Sequence, residues 1–186
     1  MIARWISIML HPFVMVGVMV GTAAAARQGP EGAVRAVALT ALFTIVPIAI
    51  LMWRQVRRGR WQNADASHRA ERPMLYIVGG SALAALLAYV MLVRSQSFMV
   101  RGVVATLGMM SLCALATRWI KVSLHMAFAT LAATTLALMR TPSGYVLLLL
   151  LPLLMWSRLT LDRHSPPEVA LGTLIGACAG ASIHFL

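Results

Sequence analysis

Three short polar stretches interrupt an otherwise apolar chain. The segment Ser157 to Glu168, SRLTLDRHSPPE, gathers Arg158, Asp162, Arg163, His164 and Glu168 directly after Tyr145–Met155, a run with no charge. The segment HRAERP places Arg69 and Arg72 three residues apart, a spacing that shares one helix face. The segment KVSLH supplies Lys121, Ser123 and His125 just before another apolar run. Taken together they offer four cations (Arg69, Arg72, Lys121, Arg158), a hydroxyl, two imidazoles and a carboxylate. Several guanidinium groups around one point favour phosphate, because their planar forks match its oxygens. Free backbone N–H groups where KVSLH starts a helix add an anion-binding end. Two histidines beside a bound phosphate suit a nucleophile and a general acid.

Each residue also has a plainer explanation. Arg54, Arg57, Arg58 and Arg60 read as a topology signal at a helix end. Ser165-Pro166-Pro167-Glu168 reads as a capping box opening a helix, which alone accounts for Glu168. His11, His68 and His184 have no evident partners and are taken as structural. Cys113 and Cys178 fall in apolar runs and read as small core residues, with no Cys/His spacing for zinc. What argues for chemistry is that the three polar stretches fall on one side of a membrane once the spans are counted.

Only 11% of the 186 residues are charged and 60% are hydrophobic, with a mean hydropathy of +0.82. Soluble domains carry about 25% charged residues, so the chain is expected to be an all-α, polytopic transmembrane bundle forming one domain over residues 1–186. The net charge of +11 comes from 15 Arg and one Lys against five acids. Those cations lie in short connections between apolar runs, where retention or anionic lipid explains them better than nucleic acid does. Candidate spans are Trp5–Ala26, Ala36–Trp53, Met74–Val93, Gly102–Thr117, Val122–Met139, Tyr145–Trp156 and Val169–Phe185, seven in all, or six if the first is lost. The first is read as a retained helix rather than a cleaved signal, although His11-Pro12 interrupts it. The sixth is short and must borrow Ser157 and Arg158. The long connection is Arg54 to Pro73. Alternating the seven spans puts 11 basic residues on the side of the three polar stretches and five on the other. Setting aside Arg69, Arg72, Lys121 and Arg158 as ligand-binding leaves seven against five. The expectation is a cell-membrane protein, bacterial in character, whose polar face looks into the cytoplasm.

The order and spacing of these residues resemble the type 2 phosphatidic acid phosphatase superfamily, which includes the vanadium haloperoxidases. Ser157-Arg158, five residues, His164, three residues, Glu168 is similar to its third signature, Ser-Arg, five residues, His, three residues, Asp. Val122-Ser123-Leu124-His125 is similar to its second, Pro-Ser-Gly-His, and Glu71-Arg72-Pro73 to the end of its first, Lys, six residues, Arg-Pro. The resemblance runs from Arg69 to Gly172. It implies a metal-independent lipid phosphate phosphatase with no cofactor, acting on a phospholipid or a polyprenyl phosphate or diphosphate. His164 would be the nucleophile forming a phosphohistidine, His125 would protonate the leaving alcohol, and Glu168 would orient His164. Arg72, Arg158 and the Ser123 region would hold the phosphate. The chain departs from the pattern at Asp65, where the first-signature Lys belongs, so Arg69 or Lys121 would replace that cation, with Arg69 the slight preference. Val122, Leu124 and Glu168 are the other departures. The alternatives are a lipid phosphotransferase, which shares the first half-reaction, and a non-enzymatic lipid-phosphate-binding or transport protein. Transport is disfavoured because the apolar spans carry almost no internal charge.

Overall fold

The computed structural model describes residues 1–62, 66, 68–93 and 97–185. Asp65, and Arg94 from the charge count, lie outside the described residues. The chain forms helices α1 (Ile2–Met9), α2 (Pro12–Thr40), α3 (Val46–Arg57), α4 (Arg72–Leu92), α5 (Ser97–Ala116), α6 (Leu124–Leu138), α7 (Pro142–Thr160) and α8 (Pro166–Ser182). The four runs Pro12–Arg57, Arg69–Leu92, Ser97–Ala116 and Pro142–Thr160 are long and apolar enough to cross a bilayer. The protein is an all-α transmembrane helical bundle.

The first expected span, Trp5–Ala26, is not one helix. The chain breaks at Leu10-His11, where Pro12 has no N–H to continue α1 and instead opens α2 at its first position. His11 caps α2, its Nδ1 accepting from the Phe13 N–H at 3.2 Å. What precedes the break is a separate eight-residue helix packed on α7. The second expected span is longer than its apolar core. Within α2, Gly29 has φ 73° and ψ −173°, a conformation open to glycine, and Pro30 follows it. The chain doubles back there: a Cβ placed on Gly21 would lie 3.3 Å from the Val37 side chain, although 16 residues separate them. The second limb of α2 continues through a π-helical turn, Ala41–Ile45, in which the Val46 N–H bonds to the Ala41 carbonyl five residues back. Pro47 sits at the start of α3, and the wider turn ahead of it accommodates its missing donor.

α6 is the central helix. Eleven of its residues are buried, among them Met126, Ala127, Leu131, Ala133 and Leu136. It is packed by α2, α7 and α8. At 15 residues it is roughly 22 Å long, shorter than the roughly 30 Å hydrocarbon core of a bilayer. α8 lies parallel to α6 at unusually close range. Gly172, Gly176 and Gly180 face the carbonyls of Ser123, Ala127 and Leu131; a Cβ at Gly172 would be 2.5 Å from Ser123 O and one at Gly180 2.7 Å from Leu131 O. Small residues at four-residue spacing permit this approach of two backbones. α7 packs on α6 and carries Ser157 and Arg158 inside its last turn, as its short apolar run required.

Candidate functional site

The three polar stretches meet at one end of the bundle. The N-termini of α4, α6 and α8 and the C-terminus of α7 supply Arg72, Ser123 and His125, His164 and Glu168, and Arg158. The α6–α8 contact fixes the centre: the Ser123 N–H donates to the Glu168 carbonyl at 3.1 Å. Glu168 Oε2 lies 2.8 Å from His164 Nδ1 and also accepts from the Ser165 N–H at 3.2 Å. The capping and histidine-orienting explanations of Glu168 are thus both realised, by the same oxygen. A carboxylate only accepts, so the neutral imidazole carries its proton on Nδ1 and keeps its lone pair on Nε2.

Cations surround this pair. Lys121 Nζ is 3.8 Å from Glu168 Oε2 and donates to the Arg163 carbonyl at 2.8 Å, tying the chain before α6 to the turn before α8. Arg72 is 2% exposed and bonds through one guanidinium nitrogen to the Val122 carbonyl. Arg158 is also 2% exposed and donates to Ser7 Oγ at 2.6 Å, while its neighbour Ser157 donates to the Ala3 carbonyl at 2.6 Å. Burial, then the nearby charges of Arg72, Arg158 and Lys121, push His164 down to about 2. Burial likewise lowers Lys121, with the Glu168 carboxylate opposing the shift.

Several buried polar atoms at this end have no hydrogen-bond partner among the described residues: Arg72 Nε, Ser123 Oγ and His125 Nε2. Unsatisfied buried groups are costly. All three belong to residues at the starts of α4 and α6. Lys121 joins this cluster. Arg69 does not: it is exposed in the turn Arg69–Glu71 and makes no side-chain hydrogen bond or ion pair among the described residues. Of the two cations weighed from the sequence, Lys121 and not Arg69 thus lies beside Glu168. Among the described residues, no three His, Cys, Asp or Glu side chains come together.

Two contributors lie in α1 and the break after it. Ser7 holds Arg158, and the His11 ring packs edge-on against His125 with centroids 5.1 Å apart. His11, read as structural, thus touches a candidate site residue. Its signal in the sequence was His directly before Pro, a helix start inside an apolar run. Nothing comparable marked Ser7. His11 and His125 also line one end of an apolar cavity of about 210 Å³ enclosed by α2 to α6. Comparison of the chain with protein-family models, with curated proteins and with solved structures finds no match.

The His164 shift has a consequence for stability. The folded state keeps this imidazole neutral, whereas the unfolded chain takes up a proton below about 6.5. Its contribution is complete above that pH and is lost as pH falls from about 6.5 toward 2. Chemical denaturation in detergent at pH 7.5 and pH 5 should therefore show a larger loss on acidification in the native protein than in His164→Asn. Equal losses in the two proteins would mean that His164 is not held neutral.

Proposed function

We propose that the protein is a metal-independent lipid phosphate phosphatase of the type 2 phosphatidic acid phosphatase kind, working through a phosphohistidine on His164. The observation that carries this reading is the pairing of His164 Nδ1 with Glu168 at 2.8 Å inside a ring of Arg72, Arg158 and Lys121. A neutral imidazole, oriented by a carboxylate and kept unprotonated by burial and then by nearby cations, is a nucleophile that works at neutral pH. The same cations stabilise charge on the three non-bridging phosphate oxygens as His164 Nε2 attacks phosphorus. The P–O bond to the lipid alcohol breaks, and His125 gives the departing oxygen a proton. Water then attacks phosphorus as the P–N bond to His164 breaks, His125 takes up the proton the water loses, and inorganic phosphate leaves with His164 Nε2 free again. The unpartnered Ser123 Oγ and Arg72 Nε supply donors for the phosphate. Ser7 Oγ currently occupies Arg158 and would yield it to a phosphate oxygen. The cavity bordered by His125 offers an apolar path for the substrate's hydrocarbon. The substrate is a phospholipid or polyprenyl phosphate or diphosphate.

Purified protein should release phosphate from a panel of such lipids. His164→Ala should abolish release, and His125→Ala should lower it on the order of 10²–10⁴-fold, the usual worth of a general acid. Release should survive EDTA and be inhibited by vanadate, which imitates five-coordinate phosphorus. An unchanged rate in folded His164→Ala would remove the nucleophile and the mechanism with it.

We further propose that this site faces the cytoplasm. Seven basic residues on its side, after those reserved for phosphate are set aside, oppose five on the other, and Arg54, Arg57, Arg58 and Arg60 cluster at the end of α3, where positive charge counts most. With Cys113 and Cys178 replaced, a Gln62→Cys protein should resist a membrane-impermeant maleimide in intact cells and react after lysis. Labelling in intact cells would place the site outside.

A further inference from the structure

The apolar cavity has a second end, which the phosphatase reading does not use. From His11 and His125 it follows α6 to Thr135 and Met139, about 14 residues or roughly 21 Å along the helix axis. There its lining includes Arg27, from the first limb of α2, and Arg101, from the first turns of α5. Between the two ends the walls are apolar, formed by residues such as Met19, Leu83, Leu86 and Phe128. Among the described residues, no Asp or Glu lines any part of it. Arg27 stacks over the Phe98 ring, 5.1 Å from its centroid, and its guanidinium contacts Met139 Sδ at 3.5 Å, across the mouth of the cavity. Arg101 keeps its Nε buried and without a hydrogen-bond partner among the described residues.

Arginines near helix ends commonly extend their heads to the membrane interface. Arg101 departs from that habit by burying a donor beside an apolar space. Arg101, with a buried donor beside an apolar chamber, and the exposed Arg27 at the same mouth present positive charge that an anionic ligand would balance. The chamber's walls and its rim then specify one kind of ligand, with hydrocarbon at one end and an oxyanion at the other.

We propose that the cavity binds an anionic phospholipid of the bilayer in the orientation opposite to the substrate, with its phosphate on Arg27 and Arg101 and one chain running inward toward His125. This site is separate from His164 and does not rest on the hydrolase reading. The two readings share the chamber, so a lipid bound at the far mouth competes for the space into which a substrate chain would extend.

The test uses the whole purified protein in detergent, with native mass spectrometry to count bound lipid. The probe is phosphatidylglycerol, an anionic phosphodiester, and phosphatidylcholine is the zwitterionic control. Phosphatidylglycerol should be retained in preference to phosphatidylcholine. Replacing both cations, Arg27→Gln with Arg101→Gln, should weaken it by at least ~10-fold, as expected for losing charge-assisted hydrogen bonds. Gly102→Leu should remove it as well, because Gly102 lines the cavity and nothing lies within 4 Å of where its Cβ would be. Arg72→Gln, at the opposite end, should leave it unchanged. Equal retention of the two lipids, retention unaltered by the double arginine variant, or loss on Arg72→Gln instead would each overturn the proposal. Failure of His164 to support hydrolysis would leave this measurement untouched.

Discussion

The close contact between α6 and α8 is what the polar end of this bundle depends on. Three glycines on α8 sit against three carbonyls of α6, each 49 residues earlier in the chain. Because both helices run the same way, this register sets the start of α6 beside Gly172, about two turns into α8, so that the first turns of α8 pass alongside the residues that lead into α6. Ser123 and Glu168 then meet backbone to backbone, and His125 and His164 arrive at the same end. A side chain at Gly172 or Gly176 would push the helices apart and move every polar group at their ends, since packed interiors tolerate little added volume.

A concentration of positive charge at such a place is expensive unless something offsets it. Glu168 offsets part of it, and its single oxygen contacts His164, Ser165 and Lys121 together. Arg72 bonds to the Val122 carbonyl and Arg158 to the Ser7 hydroxyl, both neutral oxygens. Among the described residues, Arg72 Nε and Ser123 Oγ remain buried without a hydrogen-bond partner at this end. The same reasoning applies at the opposite mouth of the cavity, where Arg27 and Arg101 face apolar walls. Charge in this protein is thus placed at the two ends of one apolar chamber, with little of it in between.

Much of the polar end was legible in the sequence. Apolar runs of near-spanning length forced an alternation of sides, and that alternation alone grouped the stretches around Arg72, Ser123 and His164. The helix-opening signals Ser165-Pro166-Pro167 and Arg72-Pro73 located the ends that carry them. The involvement of α1 was not legible. Ser7 reaches Arg158 across 151 residues, and a serine in an apolar segment carries no mark of such a partner. The hairpin at Gly29-Pro30 was foreshadowed by its residues, whereas the π-helical turn before Pro47 answers a backbone conflict that hydropathy does not register. The choice between Arg69 and Lys121 also lay beyond spacing. Both precede helices at the same end, and only the tertiary link from Lys121 to Arg163 and Glu168 separates them. The glycine stripe was visible as Gly172, Gly176 and Gly180, but a stripe does not name its partner helix.

The central claim is a covalent one: phosphorus bonds to His164 before water releases it. The measurement that addresses it most directly is rapid quenching of the turning-over enzyme into alkali, where a phosphohistidine survives, followed by mass spectrometry of the peptide containing Arg163, His164 and Ser165. The account predicts a phosphate adduct on His164 that forms with a hydrolysed lipid phosphate, decays as substrate is exhausted, and accumulates in His125→Ala supplied with a substrate whose leaving group needs no protonation. Steady hydrolysis with His164 unmodified at every quench time, or an adduct on another residue, would contradict it.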